Sequence, residues 1–111
     1  MSRRDDAVRR RSVPVFAALG DETRLLLIGR LQRGEKMSLT RLTEGIDLTR
    51  QAVAKHVRVL EKARLVRCSR IGRETLVELT PERMEEAAAY LRSVSEQWDD
   101  ALGRLKAFVE S

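Results

Sequence analysis

The chain has little of what enzymes and disulfide-stapled secreted modules are built from. Among its 111 residues there is one cysteine, Cys68, and one histidine, His56, with two prolines and an aromatic content of 4%. A single cysteine excludes an intrachain disulfide framework, and one histidine beside it excludes a conventional Cys/His metal cluster. That histidine sits in a basic segment, so no Ser-His-Asp or Cys-His arrangement has members to spare. The six glycines are scattered, forming neither a phosphate-cradling loop nor part of a repeat. No transmembrane run is visible, and the Arg-rich residues 1–11 lack the apolar stretch of a secretory signal. The expectation is a cytoplasmic, non-enzymatic protein with no cofactor and no membrane partner.

What is present is charge, unevenly distributed. The formal net charge is +5. Residues 1–80 hold 18 basic and 10 acidic side chains, a balance of +8, whereas residues 81–111 hold 4 and 7, a balance of −3. A positive field confined to one part of a small domain is what phosphate neutralisation requires. The length suits one domain whose modest core would gain from dimerisation.

Residues 1–12, MSRRDDAVRRRS, are charged and poor in large apolar groups, and are expected to form a basic, partly disordered arm. It reads as a solvated tail or as an arm reaching phosphate. Apolar density rises from Val13, and Val15, Phe16 and Leu19 can share a face of a first helix bent near Pro14. Gly20 closes that helix. Asp21 can cap a second, with Leu25, Leu27, Ile28 and Leu31 as its core stripe, ended by Gly34. A short link, possible as a strand, leads to Ser38, the N-cap of a helix turning Leu39, Leu42 and Ile46 inward.

Asp47 marks the next turn, Leu48 is expected to anchor it, and Thr49 can cap a helix from Arg50 to about Arg64. Val53, Val57 and Leu60 recur at i, i+4 and i+7 and must face the core. Gln51, Lys55, Arg58 and Lys62 then fall on the opposite side, with Thr49, Arg50 and Ala52 in the first turn. Two strands follow, from Leu65 through Arg70 and from Thr75 to Leu79, joined through Gly72, with Arg70 and Arg73 at the tip.

Helix, tight turn, second helix and ribbon, in that order, define a winged helix-turn-helix: a mainly α (α+β) fold with a two-stranded β wing. Gln can pair bidentately with adenine and Arg with guanine, and Ala can meet a thymine methyl, while the lysines and wing arginines suit phosphate. Double-stranded DNA is the expected partner.

Thr80-Pro81-Glu82 is a helix start: a capping hydroxyl, proline at the first helical position and a carboxylate in the first turn. Nearly 30 residues follow without proline. Met84, Leu91, Trp98 and Leu105 recur every seven positions, with Val94, Leu102 and Phe108 between them. A stripe of that length exceeds what one small domain can cover and reads as a dimerisation seam with Trp98 as central anchor; the competing reading is a helix folded back onto its own domain, with a local break permitted at Gly103.

The segment ALGDETRLLLIGRL at 18–31, with Asp21, Thr23, Arg24 and Leu25, resembles a helix of the ArsR family of bacterial winged helix-turn-helix repressors. DLTRQAVAKHVRVLEKARLVRCSRIGRETLVEL at 47–79, with Val53, His56 and Val57, resembles that family's reader helix and wing. The resemblance runs from about residue 13 to 110 and implies a homodimer, formed by the first and last helices, on a palindromic operator. It adds Val15 and Phe16 to Leu91, Val94, Trp98, Leu102, Leu105 and Phe108 as interface residues. It implies a DNA-facing set of Thr49, Arg50, Gln51, Ala52, Lys55 and His56, with Arg70 and Arg73 in the wing. Arg58 and Lys62 join them from the helical periodicity. His56 is equally readable as a phosphate contact and as a packed helix histidine.

The resemblance also marks departures. Metal sensors of the family place Cys-x-Cys where this chain has Ser38 and Thr40, and others use Asp and His on a last helix that here contains no histidine. The last helix, with Trp98, Asp99, Leu102, Arg104, Leu105 and Phe108, is similar to that of a metal-independent branch of the family, whose inducers are mostly undefined, so an unknown small molecule is the remaining expected partner. Arg64 stands where glycine is usual after the reader helix. Residues 13–111 are expected to form the DNA-binding domain, with 81–111 as the dimerisation helix. Two other readings stand beside this one. Cys68, flanked by Arg67 and Arg70, which would lower a thiol pKa, allows a redox-responsive regulator if it is not simply a small apolar residue under the wing. The basic face also suits a non-specific architectural or protein-interaction module.

Overall fold

Each helix of the DNA-reading unit begins where a side-chain oxygen satisfies an otherwise unpaired backbone N–H. In the computed structural model, which describes residues 3–110, Asp21 accepts from the Arg24 amide, Ser38 from Arg41 and Thr49 from Ala52. The described elements run α1 (Arg3–Leu19), α2 (Glu22–Arg30), β1 (Met37–Ser38), α3 (Leu39–Thr43), α4 (Arg50–Lys62), β2 (Val66–Ile71), β3 (Glu74–Leu79) and α5 (Pro81–Glu110). This is the winged helix-turn-helix that the residue pattern predicts.

The short link before Ser38 is a strand, and it makes the wing part of a three-stranded sheet ordered β1-β3-β2. Met37 pairs with Val77, and Cys68 pairs with Val77 from the other side. β2 and β3 are joined by Gly72 and Arg73, with Gly72 at φ +62°, the glycine position of a II′ hairpin turn.

Leu27, Leu31, Leu42, Leu60, Leu65, Val53 and Val77 meet in the centre, none more than 1% exposed. Each leucine removed from water contributes roughly 1.5–3 kcal/mol. Leu25 does not join them. Two positions from Leu27 it lies about 200° around the helix, so Leu27, Ile28 and Leu31 carry the inward face and Leu25 is exposed. Leu48 is also exposed; Ile46 packs on the core in its place after α3 ends early and Gly45 turns at φ +75°.

The arm expected over 1–12 is helical wherever it is described: α1 starts at Arg3 and carries Pro14 inside it. Met1, Ser2 and Ser111 lie outside the described residues. Small side chains explain the helical start. Ser12, Val15 and Ala18 are buried along one face of α1, and Ala87 is buried on α5, which packs against it. Ser12 satisfies its hydroxyl by donating to the Val8 carbonyl at 2.8 Å. Arg11 grips Glu86 with two bonds, at 2.9 and 3.1 Å, and holds that carboxylate below the usual range. This contribution is present at neutral pH and is lost as pH falls through the depressed value. Val15, expected at a dimer interface, is 1% exposed and so occupied within the protomer, while Phe16 packs on the core and remains half-buried.

α4 ends at Lys62 in a Schellman arrangement. The Leu65 amide donates to the Leu60 carbonyl and the Arg64 amide to Glu61, with Leu65 and Leu60 both buried beside the turn. Arg64 occupies the left-handed position at φ +63°. A Cβ there costs about 1–2 kcal/mol, against about 0.4–1 kcal/mol for glycine's greater freedom when unfolded. Arg64→Gly is therefore expected to stabilise the protein by about 0.5–1 kcal/mol in thermal or urea unfolding followed by circular dichroism. A loss of stability would contradict this account of the cap.

Candidate nucleic-acid interface

The surroundings of α4 divide it into four strips. Val53, Val57 and Leu60 face the core. On one flank Arg50 and Ala54 border the wing, and Glu61 accepts the Cys68 amide of β2 at 3.2 Å. On the other flank His56 meets α2, while Val59 and Ala63 border Pro14 and Ala17 of α1. The strip left over holds Gln51, Lys55, Arg58 and Lys62, all exposed. None of these four has a hydrogen-bond or ion-pair partner among the described residues, so they are available to an external one.

At the start of α4, Arg50, Gln51 and Ala54 share an open cleft of about 480 Å³ with Arg70, Arg73 and Thr75 of the wing and Leu39 of α3. The first turn of α4 carries no acidic residue, leaving the positive end of the helix uncompensated beside three arginines. Thr49 is exposed just before it and Ala52 is half-buried. The fold thus brings together Arg50, Gln51, Arg70 and Arg73. It does not bring Lys62 to them: that residue, twelve positions and about 18 Å along the axis from Arg50, lines the apolar groove against α1.

His56 is half-buried and already engaged. Arg24 Nη1 lies 3.1 Å from its Nδ1, and Arg24 Nε donates to the Ala18 carbonyl at 2.6 Å. Asp21 Oδ2 is 3.7 Å from the same imidazole nitrogen. The Arg24 amide donating to Asp21 is the main reason that carboxyl sits below its ordinary pKa. A second arginine, Arg30, donates to the carbonyls of Leu42 and Glu44 at 2.8 and 2.6 Å, closing the end of α3 and fixing the turn into the reader helix. Neither bond follows from the helical periodicity, although an arginine projecting from a helix of this kind is a donor that must end somewhere.

The wing's arginines differ in duty. Arg67 pairs with Glu78 across the ribbon at 2.7 Å and holds that carboxylate low, whereas Arg70 and Arg73 are exposed at the tip. Cys68 departs from the expectation that neighbouring arginines lower its pKa. Burial first, and then Glu61, push the thiol up to about 11. Arg67 is turned to Glu78, so it does not offset them.

A helix presented beside a basic ribbon, with a row of unpartnered polar and cationic side chains, defines a winged helix-turn-helix DNA-binding protein. Residues 19–69 match the family described as Helix-turn-helix domain. The uncharacterized HTH-type transcriptional regulator YuzN of Bacillus subtilis (strain 168) is 42% identical over 65 residues, 53% of this chain and 71% of that protein. The ArsR-like transcriptional regulator from Rhodococcus sp. RHA1 has a TM-score of 0.75 at 30% identity, covering 92% of this chain and 95% of that one. Another ArsR family transcriptional regulator of known structure has a TM-score of 0.74 at 27% identity, covering 82% and 93%. The chain belongs to the ArsR family of winged helix-turn-helix transcriptional regulators, which are not enzymes.

A thiol with a pKa near 11 is a poor nucleophile at neutral pH. Alkylation of Cys68 by iodoacetamide at about pH 8 should run on the order of a hundredfold slower than that of free cysteine. A rate close to the free thiol's would reinstate Cys68 as a redox candidate.

Proposed function

We propose that the protein is a homodimeric, sequence-specific repressor that occludes a promoter by binding a palindromic operator and that takes no metal signal. The observation that carries this reading is the unpartnered Gln51, Lys55, Arg58 and Lys62 strip, continuous at its Arg50 end with the cleft to Arg70 and Arg73. With α4 in the major groove, Arg50 and Gln51 are placed to read base edges. Lys55, Arg58 and Lys62 meet phosphates, and the wing touches the flanking backbone. Lys62, on the α1 side, serves a phosphate at the far end of the contact.

The dimer reading rests on α5. Thirty residues span about 45 Å, while the seventeen of α1 span about 25 Å, so α1 can cover only the first half of α5. Ala87 is buried there, with Met84 packed against the same core. The exposed part of the stripe continues with Leu91, Trp98, Leu102, Leu105 and Phe108, joined by Val109, which the seven-residue spacing did not single out, while Val94 is half-buried in a cleft shared with Arg4 and Val8 of α1. Trp98 is 64% and Phe108 79% exposed in the protomer. A second copy is the self-complementary cover for such a stripe, and twofold symmetry would set two reader helices on two half-sites. Residues 81–111 are accordingly proposed as the dimerisation helix.

The absence of a metal signal is supported by residue chemistry: Ser38 and Thr40 are not thiolates, and no group of three or more His, Cys, Asp or Glu suited to a metal is found among the described residues. No described helix is long and apolar enough to cross a membrane.

Selection of bound sequences from a random pool should return a palindrome; recovery of no preferred sequence would favour an architectural role. On the selected site, Arg50→Ala or Gln51→Ala should each relax base preference by about 1–3 kcal/mol. Lys62→Ala or Arg73→Ala should weaken all sequences alike and lower the salt slope by about one. Trp98→Ala should shift the protein toward monomer in sedimentation; an unchanged dimer would move the interface off α5.

A further inference from the structure

The junction of Asp21, Arg24 and His56 ties the reader helix to the corner between α1 and α2. Arg24 has both ends of its guanidinium committed there: Nε to the Ala18 carbonyl at 2.6 Å, and Nη1 to His56 Nδ1 at 3.1 Å. Arginine only donates, so Nδ1 accepts, and the imidazole is neutral with its proton on Nε2. Asp21, 3.7 Å from Nδ1, is beyond hydrogen-bond reach of it and instead caps α2, fixing the helix that carries Arg24. The bond approaches α4 on the flank between its core strip and its exposed strip.

We propose that His56 is a positioning residue that acts through Nδ1: Arg24, braced on the Ala18 carbonyl, sets the rotation of α4 and so aims Arg50 and Gln51. This rests on the groove-reading role of α4. His56 then contributes to operator discrimination without touching DNA, which is a different duty from the phosphate contact that family resemblance suggests. A bond of this kind is directional where the packing of Val53, Val57 and Leu60 is not, and aligned bidentate base contacts tolerate little rotation.

Two substitutions separate the roles of the two ring nitrogens. His56→Asn keeps an acceptor at the Nδ1 position, whereas His56→Gln places its polar group near Nε2. On the selected operator, H56N should bind within about twofold of the parent, and H56Q should lose about tenfold or more. The loss should fall on operator relative to scrambled DNA, with the salt slope unchanged, because no phosphate contact disappears. Arg24→Lys, which cannot bridge both acceptors, should reproduce the H56Q pattern. Retention by H56Q with loss in H56N would make Nε2 a direct DNA donor and overturn the proposal. Equal retention, or equal loss with native circular dichroism, would overturn it as well.

A second readout needs no DNA. His56 is the sole histidine, so its 15N signals in the free protein are unambiguous. The neutral ring should carry its proton on Nε2, and a proton on Nδ1 would overturn the junction. If the parent prefers no DNA sequence, the groove-reading role fails while the tautomer still reports on the Arg24 bond.

Discussion

The burial of Val53, Val57 and Leu60 is the constraint from which the rest of the interface follows. Three side chains at i, i+4 and i+7 decide which face of α4 turns to Leu27, Leu42 and Leu65 and so which faces are left for its flanks and for solvent, while the fine rotation within that packing is the part proposed for the Arg24 bond to His56. Each flank then finds its neighbour: the wing on the Arg50 and Glu61 side, and α1 with α2 on the His56 and Val59 side. The exposed strip is what those three contacts leave over. Its chemistry is polar and cationic because an apolar residue there would have nothing to bury against, and it suits the phosphate contact proposed for it.

Arginine illustrates how little of a basic composition is spare. The chain holds 22 lysines and arginines, yet several are tied into its own structure. Arg11 holds α1 to α5, Arg24 holds α2 to α4, Arg30 closes α3 and Arg67 crosses the wing. All four are donors bonded to a fixed acceptor at 3.1 Å or less. The arginines of the cleft, Arg50, Arg70 and Arg73, have no such partner among the described residues. The positive field on the reader side therefore comes from a subset of the charges that composition counts, and the remainder are internal fasteners.

Periodicity made the element types, the reader strip, the hairpin and the long last helix legible, because each is written in spacings of two, three, four or seven along the chain. It failed where the deciding partner was distant in sequence. An apolar Leu48 suggests the turn's anchor, but Gly45 and the Arg30 bonds to Leu42 and Glu44 set that turn and leave Ile46 to fill the space. Residues 3–12 read as an arm by composition and form a helix that packs against α5, with Val8 beside Tyr90 and Val94, Ser12 buried and Arg11 bonded to Glu86. Cys68 was judged by its neighbours in sequence, whereas burial and Glu61, from another element, decide its pKa. Val15 is given an interface role by the family resemblance that its burial in the protomer leaves no surface to perform, whereas Phe16, half-buried against the core, keeps part of its ring exposed.

The same geometry bears on how a regulator with Ser38 and Thr40 in place of thiolates would be regulated. Glu61 bonds the base of the wing, His56 bonds the α1–α2 corner, and α1 is bonded through Arg11 to α5. The reader helix is therefore tied on both flanks, and on the His56 flank to an element that packs against α5. A change in how two copies pack along α5 would act on α1, and α1 supplies the Ala18 carbonyl that braces Arg24. Coupling of that kind needs two discrete arrangements of the contact, and a hydrogen bond with one acceptor geometry provides a sharper division than apolar packing does. The chemistry that a family relative would place in a thiolate cluster is absent from Ser38 and Thr40, but the mechanical route from the last helix to the reader does not depend on it.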